Sequence, residues 1–172
     1  NKFLQALDEY AVGLFFYAGH GMQIDGKNYI VPVDLKLGDK SRTTVSCYCL
    51  NSLLDGAATY KGKTLIFILD ACRDNPFAIG RGLIAGFAPF DNPPKGTIIA
   101  YSTGSDCSAF DGHGSNGLYT QVLKDAMLIP NLKIEDMFKS VRKNVSDISI
   151  SQYGQEQLSW EYSSLVGDFY FS

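Results

Sequence analysis

Apolar positions along this chain gather into three short continuous runs, and helical spacing takes over between them. Residues 11–17 (AVGLFFY), 63–69 (KTLIFIL) and 97–103 (TIIAYST) are apolar almost without interruption. Such short runs without polar alternation fit strands buried on both faces, as in a parallel sheet covered by helices. Phe3, Leu4 and Leu7 recur at helical intervals, as do Leu50, Leu53, Leu54 and Ala57, so helices are predicted over 1–9 and 48–59. Two more are predicted over 118–128 and 134–145. Ser115 or Asn116 would cap the first, and Met137, Phe138, Val141 and Val145 line one side of the second. Asp25-Gly26 between two β-type pieces predicts a hairpin after a turn at Gly19-His20-Gly21, and LVGDFYF at 165–171 predicts a last strand. Residues 76–96 hold four of the six prolines and predict a long loop. The order of elements predicts one α/β domain over 1–172, a mostly parallel central sheet with helices on both faces.

Composition narrows the function classes. The net charge of −3, with no block of like charges, argues against nucleic acid and against an anionic membrane surface. No apolar run reaches the roughly 18 residues of a membrane span, and no signal peptide opens the chain, so a cytoplasmic protein is expected. Its four cysteines, Cys47, Cys49, Cys72 and Cys107, are expected as reduced thiols. Cys47 and Cys49 stand one residue apart, poor spacing for zinc, and no metal or other cofactor is expected.

In an open α/β sheet, sites lie just past the carboxyl ends of the strands. The first run ends in Gly19-His20-Gly21, the second in Asp70-Ala71-Cys72, and the third in Ser102 and Thr103 before a polar loop containing Asp111. If the strands are parallel neighbours, all three tips share one edge of the sheet. A thiol with an ordinary value near 8.5 is only a few per cent thiolate at neutral pH. An adjacent imidazole takes its proton and later protonates a leaving amine. Gly21 admits close backbone approach, and its N–H with that of Cys72 makes a candidate oxyanion hole. Taken singly, a cysteine after an apolar strand is a small buried hydrophobe and a Gly-His-Gly is a turn. Together at matching strand ends they point to nucleophilic catalysis.

The residues that carry this chemistry resemble a family. FFYAGHGMQIDGKNYIVPVD and LIFILDACRDNPF are similar to the histidine and cysteine blocks of the caspase-like cysteine peptidases, peptidase C14-like, with the metacaspase and bacterial caspase-homologue branch the nearer likeness. GTIIAYSTGSDCSAFDGHGSNGLYTQVL and LSWEYSSLVGDFYF resemble that branch's third and last blocks. The resemblance implies a caspase-like fold, His20 as the catalytic histidine, Cys72 as the nucleophile, and backbone at Gly21 and Cys72 as the oxyanion hole. It also implies that this chain lacks the family's N-terminal strand–helix–strand segment, leaving a sheet edge and an apolar face that need a companion segment of the same protein.

Charge indicates specificity. Where caspases that cut after Asp carry a glutamine and an arginine, this chain aligns Asp70 and Asp111. Two carboxylates attract Arg, through bidentate pairing, and Lys, and repel an acidic residue. The expected substrates are therefore proteins or peptides with Arg or Lys at the cleavage site. The other readings are a loop-capping carboxylate for Asp70 and an Asp-Gly turn for Asp111. A basic preference makes Arg81 and Lys95, in the long loop, candidates for self-cleavage. Asp106, Asp111 and Asn116 invite comparison with calcium-activated metacaspases, but the loop lacks the alternating ligand spacing of an EF-hand. His113 reads as a turn residue. The rival reading of the whole chain is a catalytically idle caspase-like signalling scaffold, against which the presence of both His20 and Cys72 argues.

Overall fold

A computed structural model describes residues 1–35, 45–72, 83–104, 109–110, 112 and 116–172, with Cys72 and residues 83–85 described by their backbone. The elements in chain order are α1 (Lys2–Ala6), β1 (Val12–Ile24), β2 (Lys27–Ile30), β3 (Tyr48–Cys49), α2 (Leu50–Ala57), β4 (Thr64–Cys72), β5 (Leu83–Ala85), β6 (Thr97–Tyr101), α3 (Leu118–Met127), α4 (Ile134–Tyr153) and β7 (Trp160–Ser163). The sheet runs β3-β2-β1-β4-β6-β7, with β5 pairing β1 off this path. Its centre, β1-β4-β6, is parallel, as the three apolar runs predict. The flanking pairs β1-β2, β2-β3, β1-β5 and β6-β7 are antiparallel, so the sheet as a whole is mixed.

β4 shows why a continuous apolar run makes a central strand. Side chains alternate across the pleat. Leu65, Phe67, Leu69 and Ala71 face a core shared with Leu7, Leu50, Leu53, Leu54 and Ala57. Ile66 and Ile68 face a second core with Leu118, Leu123, Met137, Phe138, Val141 and Val145. One face of the sheet thus carries α1 and α2, the other α3 and α4.

β1 departs from the expectation of burial on both faces. Phe15 and Tyr17 pack against the first core, but Val12, Leu14 and Phe16 on the opposite face are 41%, 44% and 45% exposed. Among the described residues, the edge of β1 away from β4 is unpaired until Gly21. Among the described residues β1 thus presents an open edge and an exposed apolar face.

Four local expectations are corrected. Gly19-His20-Gly21 is no turn: β1 runs through it, exchanging β4 for β2 as partner at Gly21. Residues 165–171 are not a strand of the sheet and make only the isolated bridge Lys133↔Tyr170; the outer position belongs to β7. α4 continues to Tyr153, where Gly154 closes it in the left-handed conformation at φ 68°. The N-cap of α3 is Gly117, with no side-chain cap.

Candidate active site

His20 and Cys72 are register partners, the last pair of the parallel β1-β4 ladder. Neighbouring strands lie about 4.8 Å apart, so the two backbones are side by side at the carboxyl edge of the sheet. Asp70 stands two positions earlier on β4. Ser102, just past the Leu69↔Tyr101 pair, continues the row on β6, its N–H donating to the Leu69 carbonyl at 3.0 Å. The topology therefore brings His20, Cys72, Asp70 and Ser102 to one edge.

The glycines flanking His20 answer two separate steric demands. Gly19 has φ 154°, and a Cβ there would meet the Tyr17 hydroxyl at 2.8 Å. That hydroxyl donates to the carbonyl of His20 at 2.8 Å and to that of Val31 at 3.2 Å. The Val31 N–H also donates to the His20 carbonyl, at 3.0 Å. Burial pushes the Tyr17 phenol up to about 12, so it remains a donor at neutral pH. At Gly21 a Cβ would meet the Phe87 ring at 2.6 Å. The flanking bond from Val31 to His20 makes Gly21↔Ile30 a non-hydrogen-bonded pair, so the polar groups of Gly21 turn away from β2. Its carbonyl accepts from Gly86 at 2.9 Å. Tyr17 was not singled out from sequence; a phenol three residues before a glycine-flanked histidine is the signal that marks it.

Asp70 is a buried carboxylate, 9% exposed. Its Oδ2 accepts a 2.5 Å hydrogen bond from the Thr120 hydroxyl in the first turn of α3, and a Cβ on Gly117 would lie 3.4 Å from the same oxygen. The carboxylate thus sits against the positive end of a helix. Beside it, burial pushes the Tyr119 phenol far up, with the Asp70 and Glu161 carboxylates adding to the effect. Gln157, fully buried, donates to the Ser102 carbonyl at 2.9 Å and accepts from the Phe110 N–H at 2.9 Å. Phe110 in turn accepts from Leu118 at 3.0 Å and stacks on Tyr153 with ring centroids 4.3 Å apart. Trp160 stacks on Tyr101 at 4.6 Å and donates to the Thr103 carbonyl at 3.1 Å.

Asp111, Arg81, Asp106 and His113 lie outside the described residues. Lys95 is exposed, in the turn before β6, at the far end of the sheet from the tips. A cavity of about 460 Å³ lies at that far end, lined by Lys61, Lys63, Lys95 and Gly96 among others. Among the described residues at the tips, Leu69, Ala71, Phe87, Tyr101, Ser102 and Thr103 bound a recess of about 10 Å³. Among the described residues no group of three His, Cys, Asp or Glu side chains is placed to hold a metal, and no helix is long and apolar enough to cross a membrane.

A mixed sheet between two helical layers is the caspase-like architecture. The profile of the caspase-domain family matches residues 2–170, and the chain belongs to that family of peptidases. It is 30% identical over 134 residues to mucosa-associated lymphoid tissue lymphoma translocation protein 1 of Homo sapiens, and equally to its Mus musculus homologue. Those alignments cover 74% of this chain and 15% of each relative's length. The fold is similar to that of the Drosophila initiator caspase Dronc, with a TM-score of 0.62 at 14% identity, covering 96% of this chain and 58% of that one.

Proposed function

We propose that this chain is a cysteine endopeptidase that cuts after Arg and, less readily, Lys. The pairing of His20 with Cys72 at the end of the β1-β4 ladder carries the reading. Cys72, as thiolate, attacks the scissile carbonyl, and the developing oxyanion is taken by the N–H groups of Gly21 and Cys72. His20, holding the thiol proton, passes it to the departing amine as the C–N bond breaks, leaving a thioester. His20 then draws a proton from water, whose oxygen attacks the thioester; the acid leaves and the thiol is restored. The buried Asp70 carboxylate supports a basic preference, with Asp111 as its second member. Asp70 against the N-terminus of α3 also fits the capping role weighed above.

The same reading makes an upstream strand–helix–strand companion the cover for β1, supported by its unpaired edge and by exposed Val12, Leu14 and Phe16. It takes the protein as cytoplasmic and in need of no cofactor, with calcium activation left to the assay. Fluorogenic peptides ending in Arg, Lys or Asp, with and without calcium, test it on the full protein and on Cys72→Ala. Cleavage after Arg and Lys that vanishes in Cys72→Ala is expected. Cleavage after Asp would reject the acidic pocket, and no cleavage in either condition would favour the idle scaffold.

A further inference from the structure

Asp70 raises a question that its position alone does not answer. A buried carboxylate is held ionised by hydrogen bonds or by a cation. Among the described residues no cation pairs with Asp70, and its single hydrogen bond is the one from Thr120 to Oδ2. The N-terminus of α3 lies on the same side, at Gly117. Among the described residues Oδ1 has no donor. On the next strand the Ser102 hydroxyl is 1% exposed and has no hydrogen-bond partner, although Ser102 continues the ladder opposite Asp70. A buried hydroxyl without a partner is unusual and calls for an explanation. Among the described residues these are two polar atoms without a partner, on adjacent strand tips, and they describe a place for a cationic donor.

We propose that Thr120 is the positioning residue of the specificity pocket: its hydroxyl and the α3 N-terminus hold Oδ2 of Asp70, leaving Oδ1 and the Ser102 hydroxyl to receive the guanidinium or ammonium group of the substrate. The inference rests on the basic-specificity reading above and goes beyond it, because it divides the carboxylate between an oxygen fixed by the protein and an oxygen offered to the ligand. An untethered carboxylate rotates, and the entropy lost on fixing it then falls on substrate binding. Ser102 receives a role that neither packing nor backbone geometry provides.

Thr120→Val, Thr120→Ser and Ser102→Ala of the full protein test this, by steady-state kinetics on Arg, Lys and norleucine peptides together with thermal melts. Thr120→Val is expected to raise KM for Arg and Lys peptides about tenfold, with kcat within about twofold and the norleucine rate unchanged. Thr120→Ser should restore most of the loss. Ser102→Ala removes a hydroxyl that the fold leaves unpaired, so it should not lower the melting temperature, yet should raise KM for basic peptides several-fold. A Thr120→Val protein that melts earlier but keeps its KM would overturn the inference, leaving Thr120 as a structural anchor. Should Thr120→Val fail to fold, an unchanged KM in Ser102→Ala overturns it instead. A wild-type protein that cleaves no basic peptide rejects the specificity reading and this inference together; one that cleaves them with all three variants unaffected rejects this inference alone.

Discussion

Tyr17, rather than any residue that touches substrate, shows how closely the backbone at His20 is held. Its hydroxyl bridges the carbonyls of His20 and Val31, and Gly19 exists in a form only glycine takes up readily because that hydroxyl occupies the space of a Cβ. Tyr17→Phe removes both bonds while the Val31 N–H still holds the His20 carbonyl. On the proposed function we expect a stability loss of about 1 kcal/mol and a fall in kcat larger than any rise in KM, because His20 shifts and Asp70 does not. The phenol also carries a pH signature. Its value is raised from 10.0 in the free side chain to about 12 in the fold, so the protein gains stability from neutral Tyr17 at all pH below about 10. That gain is lost as pH climbs from 10 towards 12. Phenolate absorbance should show one late-ionising tyrosine missing in Tyr17→Phe; identical titrations would reject the assignment. The placement of His20, Cys72 and Asp70 along one edge of the sheet was legible in sequence, since all three close apolar runs. Tyr17 and Thr120 were not, because each acts through a hydrogen bond to a partner that only the folded register supplies.

Elements were legible where burial is symmetric and illegible where packing overrides pattern. β4 and β6 read directly from their apolar runs because both faces are covered. WEYS became the edge strand β7 although its polar residues hide the pattern, while LVGDFYF stayed outside the sheet. The physical reason is that Leu165, Phe169 and Phe171 reach the second core from outside the ladder. Glycine has low strand propensity, and so Gly19-His20-Gly21 read as a turn; β2 and β4 pair it into strand regardless. β7 is also fixed from the helix side. Arg142 of α4 forms a salt bridge with Glu161 and donates to the Ser159 carbonyl at 2.9 Å, bracketing Trp160. Arg142→Met strands the largely buried Glu161 carboxylate beside Tyr119. We expect about 2 kcal/mol of destabilisation by urea melts, of which Arg142→Met/Glu161→Gln recovers part. Equal stability of the single and double variants would show that Glu161 is solvated.

At the scale of the whole molecule, the sheet separates two poles. The tips hold His20 and Cys72, and the opposite end holds the 460 Å³ cavity with Lys61, Lys63 and Lys95. From the register Leu65↔Thr97 to the level of Cys72, at about 3.3 Å per residue, Lys95 lies roughly 25 Å from Cys72. The bond after Lys95 is also held in the sheet: the Gly96 N–H donates to Ser164 at 2.9 Å and its carbonyl accepts from Leu65 at 2.9 Å. Gly96 itself, at φ 84°, has the Lys63 carbonyl where a Cβ would stand, 2.7 Å away, so the segment has little room to move. On the proposed function we therefore expect no cut at Lys95 within one molecule. Any cut there is made by a second molecule on a locally opened first one, and its rate falls with dilution. Mixing active protein with Cys72→Ala protein of a distinguishable mass tests this, followed by mass spectrometry over a hundredfold range of concentration. Cleavage at Lys95 of the Cys72→Ala chain, at a rate proportional to active protein, is the expected result wherever that cut occurs. Cleavage at Lys95 that is independent of dilution would mean that the chain folds back on its own tips, and would contradict the separation of the poles.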